Sequence, residues 1–270
     1  MGITKLLENP VEYLQSMLLI LPAILPALIL HECAHGYVAY RLGDPTAKLS
    51  GRLTLNPLKH LDPIGTLCMI FIGLGWAKPV PVCPAYFKHP RRDDLLVSIA
   101  GITANLIMFL VGCIGMILFV LVGLRNVPSD MWYSADMLIT GMDDQYIYTL
   151  KTTEAIKYAY GMKDYLITPY LGNGWGIVFE IVENFALINL SLAIFNLIPI
   201  PPLDGYHVLN DIVLKGSLFV KKNIAMICQG VMLVAVWMGY IGDLISFLST
   251  HILDFIGTIN VYIVNLFNLI

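Results

Sequence analysis

The apolar positions of this chain fall in long runs, wider than an amphipathic stripe needs, and the polar positions gather between them. A helix takes about 20 apolar residues to cross a bilayer. Four runs meet that length: Tyr13 to Arg41, Leu95 to Leu124, Trp175 to Ile198 and Ile224 to Leu248. Pro22 and Pro26 predict a kink or a broken first half in the first run, because each proline removes a helix hydrogen bond. Asp93 and Asp94 stand where an N-cap and first turn belong, just ahead of the second. Residues 64–76 are too short to span and read as re-entrant or interfacial. Between the first two runs, Leu49 to Asn56 alternates apolar and polar residues over its second half, the pattern of a strand. Ala77 to Val82 carries prolines at alternate positions, which fits an extended edge strand or loop. Pro199, Pro201 and Pro202 must break the helix that follows Asn196, and Asp204-Gly205 stands on the restart. The pattern therefore predicts an all-α membrane protein. Its architecture would be a polytopic helical bundle with a three-span core, a broken helix carrying Asp-Gly and short interfacial β-strands.

Composition supports that class. The chain is 57% hydrophobic and 13% charged, with a mean hydropathy of +0.74, whereas soluble domains carry about 25% charged residues. A net charge of −3 leaves no basic footprint for nucleic acid. Five scattered cysteines, none in a Cys-x-x-Cys pair, suggest core residues and no thiolate cluster. Residues 125–174 form the long polar stretch, read as an insertion folding against the membrane face, and residues 252–270 form an apolar tail that either crosses or lies on the surface. All of it reads as one integral membrane domain over residues 1–270. No secretory cleavage pattern precedes the first run, so that run is expected to remain in the mature protein. Eleven of the sixteen Lys and Arg fall on one face of this arrangement, among them Arg41, Lys48, Lys88, Arg91 and Lys222. By the positive-inside rule that face is cytoplasmic, in a multi-pass protein of the cell membrane, and the insertion lies outside.

Candidate chemistry is concentrated in the first run. His31, Glu32 and His35 form His-Glu-x-x-His; on a helix the two histidines project from one face and can share a metal ion, with Glu32 beside them. Ionisable groups at membrane depth are costly and mark a site or pathway. A catalytic zinc takes three protein ligands and leaves one position for water. Asp204 and His207 are the best-placed third ligands, with Asp204 preferred; His60, Asp62 and Asp243 are weaker candidates. Glu32 would act as general base, and Asn105 or Asn196 could donate to a developing oxyanion. Gly101 and Asn105 lie four apart on one helix face, a spacing that also suits a small-residue helix contact.

His-Glu-x-x-His at 31–35, Gly-x-x-x-Asn at 101–105 and the Asn196 to Pro199 run leading to Asp204-Gly205 together resemble the site-2 protease family of intramembrane zinc metallopeptidases. Residues 41–48, 51–57 and 75–82 resemble its compact bacterial and archaeal branch. The resemblance implies zinc held by His31, His35 and Asp204, catalysis by Glu32, an active-site role for Asn105, and hydrolysis of transmembrane protein substrates. The Asp-Gly element reads Pro-Pro-Leu-Asp-Gly in place of Asn-Pro-Asp-Gly. Neither a PDZ nor a CBS domain fits the chain. A substrate helix must unwind before cleavage, and segments 49–56 and 77–82 are candidates to accept it by strand addition. The site would open nearer the cytoplasm, and the chain is compatible with a homo-oligomer. The alternative is a membrane metal-binding or transport protein using the same cluster; the chain shows neither an internal repeat nor a second set of intramembrane acids for a path.

Overall fold

The computed structural model describes residues 6–72, 75–126, 142–143, 146–147, 163–215 and 222–266. Its main helices are α1 (Pro10–Arg41), α2 (Pro63–Ile72), α3 (Pro90–Arg125), α4 (Asn173–Asn196), α5 (Asp204–Ile212), α6 (Lys222–Trp237) and α7 (Tyr240–Leu266). Among the described residues α1, α3 and α4 are each long and apolar enough to cross a membrane, and α6 with α7 makes a fourth span if the bent pair is counted as one. The ten residues of α2 rise only about 15 Å, half a hydrocarbon core.

Several boundaries differ from expectation, each for a local reason. Helix α1 runs without interruption through Pro22 and Pro26. The two prolines are four apart and deprive only the carbonyls of Leu18 and Pro22 of their helical donors, a loss that membrane helices tolerate. Helix α3 begins at Pro90, ahead of the expected Asp93: Pro90 suits the first turn, and the Asp93 carboxylate accepts from His89 N at 2.9 Å. The fourth run divides at Met238-Gly239, where the helices turn by 70° and Gly239 takes φ +91°. The apolar tail is thus largely the continuation of α7.

The expected strands at 49–56 and 77–82 do not form. Thr46–Leu49 is a helical turn, Gly51 reverses the chain at φ +65°, and Pro57–Lys59 closes the segment as a 3-10 turn capped by Asn56. Residues 77–82 run irregularly, and their ladder pairing amounts to one bridge, Leu61 to Ala77. Pro79 and Pro81 have no N–H to give a ladder. A two-residue antiparallel pairing, Met142–Asp143 with Tyr146–Ile147, lies within the polar insertion, most of which is outside the described residues.

The chain divides into two compact units, residues 1–108 with 188–245, and 109–187 with 246–270. In the first, Ala39, Phe87 and Val97 form a buried cluster joined by Val38, Leu42 and Val82. Side chains pin its long connection from α1 to α3. Asp44, fully buried, accepts from Thr46 N at 2.9 Å and Cys83 N at 2.6 Å. Arg52 donates to Lys78 O at 2.6 Å, and His60 Nε2 meets Thr54 O at 2.7 Å. In the second unit Phe119 stacks edge-on against Trp175 and Phe179, and Gly112 lets Ala186 approach closely. Lys163 pairs with Glu180 there, which raises the lysine pKa through that hydrogen bond. Along α3, Ile107, Val111, Ile114, Leu118 and Val122 are exposed at helical spacing, an apolar stripe suited to lipid.

Candidate metal centre

One turn of α1 brings His31 and His35 over one another, and α5 presents Asp204 as its first residue. His31 Nε2 and His35 Nε2 are 3.0 Å apart, and Asp204 Oδ2 lies 3.4 and 3.3 Å from them. Ligand atoms at about 2.0–2.1 Å from a tetrahedral zinc are separated by about 3.3 Å, so these three atoms outline one face of such a site. Among the described residues, His31, His35 and Asp204 are the group able to hold a metal ion.

The far ring nitrogens fix the tautomers. His35 Nδ1 lies 2.7 Å from the Val97 carbonyl, which only accepts, so Nδ1 carries the proton. Asn105 gives its amide N–H to Asn189 Oδ1 at 3.1 Å and turns its Oδ1 to His31 Nδ1 at 2.6 Å, so that nitrogen donates as well. Both Nε2 atoms are left with lone pairs facing each other and a carboxylate oxygen. Asp204 Oδ2 is buried and has no hydrogen-bond partner. Three convergent acceptors with no shared proton repel one another, and a cation resolves the conflict. Two imidazoles and a carboxylate form a zinc-type donor set that fills three of the four positions of a tetrahedral ion.

Close packing makes this approach possible. A Cβ on Gly101 would fall 2.4 Å from His35 Nε2 and 2.6 Å from His31 Cε1, so α3 can face the imidazoles only where it has no side chain. Gly205 is pressed against the Leu197 and Ile198 backbone, where a Cβ would meet Leu197 O at 2.3 Å. Glu32 is not one of the three converging residues, and its Oε2 accepts from Val80 N at 2.7 Å.

The other candidates lie elsewhere. His207 Nδ1 pairs with Asp94 Oδ2 at 2.9 Å, outside the ligand group. That hydrogen bond pushes the His207 imidazole above its ordinary pKa, over the opposing effect of burial. His60 is held by Thr54, Asp62 caps Gly65 N at 2.8 Å, and neither these nor Asp243 joins the group. Asn196 donates to Leu192 O at 3.0 Å. Asn105 is fully buried with its amide committed, so it faces His31 and Asn189 where a substrate-facing donor was expected.

Sequence reasoning did not identify Asn189, Asp94, the Val97 carbonyl or the Val80 amide as supports. One signal was available. Asp94, Val97, Gly101 and Asn105 fall at helical spacing, within an arc of about 80° at 100° per residue, and so share one face of α3.

Residues 19–239 match the family described as peptidase family M50. The chain is 38% identical over 209 residues to "Putative zinc metalloprotease YwhC" of Bacillus subtilis strain 168, covering 76% of this chain and 75% of that one. It is 31% identical over 105 residues to "Putative zinc metalloprotease Rip2" of Mycolicibacterium smegmatis, covering 37% and 40% of the two chains. The Rip2 protein of Mycobacterium tuberculosis H37Rv is 35% identical over 104 residues, covering 36% and 39%. No solved structure matches the chain at a significant level.

Proposed function

The chain belongs to peptidase family M50, and on that footing we propose that His31, His35 and Asp204 hold its zinc, with Glu32 as general base. It is an intramembrane zinc metalloprotease of compact form, a multi-pass membrane protein whose family acts on membrane substrates in the bilayer. Metal transport through the same cluster is not favoured. The single observation that carries the ligand assignment is the convergence of three lone-pair atoms at 3.0 to 3.4 Å, one of them buried and otherwise unpartnered.

Zinc, when bound, supplies a Lewis acid that polarises a carbonyl and lowers the pKa of a coordinated water to about 7. The chain's own residues do the rest. Val80 N–H holds one oxygen of Glu32, leaving Oε1 to take the proton of the attacking water. The water oxygen bonds to the scissile carbonyl carbon, the C–N bond breaks, and Glu32 returns the proton to the leaving nitrogen. Asn105 orients His31 through its second ring nitrogen, as Val97 O orients His35. A substrate helix hides its amides in its own hydrogen bonds, so it must unwind locally to reach these groups. The distribution of Lys and Arg supports an opening nearer the cytoplasmic face.

Zinc content and cleavage of a membrane-spanning reporter, measured on detergent-purified protein, test this reading. Native chain and Glu32→Gln should each carry about one zinc, with cleavage in Glu32→Gln slowed by about 10²–10⁴-fold, while Asp204→Ala should lose the metal. Full zinc retention in Asp204→Ala would remove that residue from the ligand set. Unimpaired cleavage by Glu32→Gln would remove the proposed base.

A further inference from the structure

The two histidine ligands are each aimed by a hydrogen bond at the far ring nitrogen, whereas Asp204 turns its unpartnered Oδ2 to them from the first residue of a short helix. Its aim depends on how α5 is held. The helix is nine residues long and follows a proline-rich break, so its own hydrogen bonds do not fix its direction. At the start, Gly205 lies against the Leu197 and Ile198 backbone. One turn after Asp204, His207 pairs with Asp94 at 2.9 Å; at the far end, Arg91 Nε donates to Asp211 O at 2.7 Å. Both of these latter contacts come from the first turns of α3.

The same helix supplies the other supports. Asp94, Val97, Gly101 and Asn105 are successive contacts of one α3 face: to His207, to His35, to the space under both imidazoles, and to His31. We propose that Asp94 and His207 are positioning residues of the metal centre, a pair that sets α5 against α3 and so aims the Asp204 carboxylate at the two histidines. The inference rests on the reading of His31, His35 and Asp204 as ligands. The pair is partly exposed, 44% for the His207 side chain and 28% for Asp94. Pairs so exposed contribute little to folding. Supports of metal ligands, in contrast, are worth roughly 10–100-fold in metal affinity. The two roles are therefore separable by measurement.

Zinc affinity is measured by chelator competition on the full-length purified protein, together with the visible spectrum of the cobalt(II)-loaded form and the melting temperature of the metal-free form. Asp94→Ala and His207→Ala should each weaken zinc by about tenfold and alter the cobalt spectrum, with metal-free melting close to native. The double variant should be no weaker than either single one, because one interaction is removed. His207→Asn, whose amide can replace Nδ1–H, should recover affinity to within about threefold of native. Affinity within about twofold of native in both alanine variants, with an unchanged cobalt spectrum, would overturn the proposal. So would an affinity loss that tracks a fall in metal-free melting and persists in His207→Asn. Asp204→Ala is titrated alongside: zinc binding that survives there defeats the ligand reading, whereas its loss beside native binding in Asp94→Ala defeats only the positioning role.

Discussion

A methyl group at Gly101 would stand 2.4 to 2.6 Å from ring atoms of both histidines, with the helix backbone on its other side. Neither ring can retreat without giving up its bond to Asn105 or Val97. Gly101→Ala should therefore leave the protein folded but displace the imidazoles, with zinc content reduced by about tenfold or more and cleavage lost in proportion; zinc per chain and far-ultraviolet circular dichroism check both halves. His207 yields a pH prediction. It faces Asp94, Asp204 and Asp211, and its folded pKa is raised above the ordinary 6.5. Stability from its charged form is thus fully present below 6.5 and lost as the pH rises through the folded value. The advantage of metal-free native protein over His207→Asn should be no more than about 1 kcal/mol at acid pH and should shrink towards alkaline pH. Melting at pH values on either side of neutrality reads this out; a gap that widens at alkaline pH would contradict it. The three residues that converge, His31, His35 and Asp204, could be picked out because a spacing of four declares a helix face and because few acids fall in the apolar segments. Asp94 and His207 stand 113 residues apart, and Val97 contributes a carbonyl that every residue possesses, so neither could be read from residue type.

At the scale of elements, the connection between α1 and α3 departs most from its pattern. Leu53, Thr54 and Leu55 alternate as a strand would, but a strand needs a partner ladder. Here the neighbouring segment carries prolines, and Gly51 turns the chain just before. Side-chain bonds to main-chain atoms take the place of the ladder. Asp44 carries the largest share, fully buried and bonded to the amides of Thr46 and Cys83. Asp44→Ala should cost about 1–3 kcal/mol by leaving the partly buried amides of Thr46 and Cys83 without their acceptor. It should lower the thermal midpoint and leave zinc stoichiometry unchanged, since the proposed ligands sit on α1 and α5; loss of zinc at unchanged stability would assign the loop a direct part in the centre. Helices α1, α3 and α4 begin and end within about five residues of the first three apolar runs. The break at Met238-Gly239 was not legible, because an apolar run with one glycine reads equally as a continuous helix or a corner.

For the whole molecule, the strongest expectation concerns the membrane. If the charge distribution sets orientation, cysteines placed at Lys48 and Lys88 should resist a membrane-impermeant thiol reagent in intact cells and react after permeabilisation. Labelling without permeabilisation would reverse the orientation. Zinc should also stabilise the chain, because a ligand that binds only the folded state adds about 2.7 kcal/mol at a hundred times its dissociation constant. Chelation should lower the melting temperature of native protein and leave Asp204→Ala unmoved, as differential scanning fluorimetry in detergent would show. The face of α3 that carries Asp94, Val97, Gly101 and Asn105 has a further consequence for how this chain can change length. Asp94 and Asn105 are eleven residues apart, close to three full turns, which keeps their contacts in phase. One residue inserted between them would rotate the later contacts by about 100° and swing Asn105 away from His31. The interval from 94 to 105 therefore acts as a fixed-length splice, closed to single insertions and deletions, and segments exchanged between such chains should be joined before or after it.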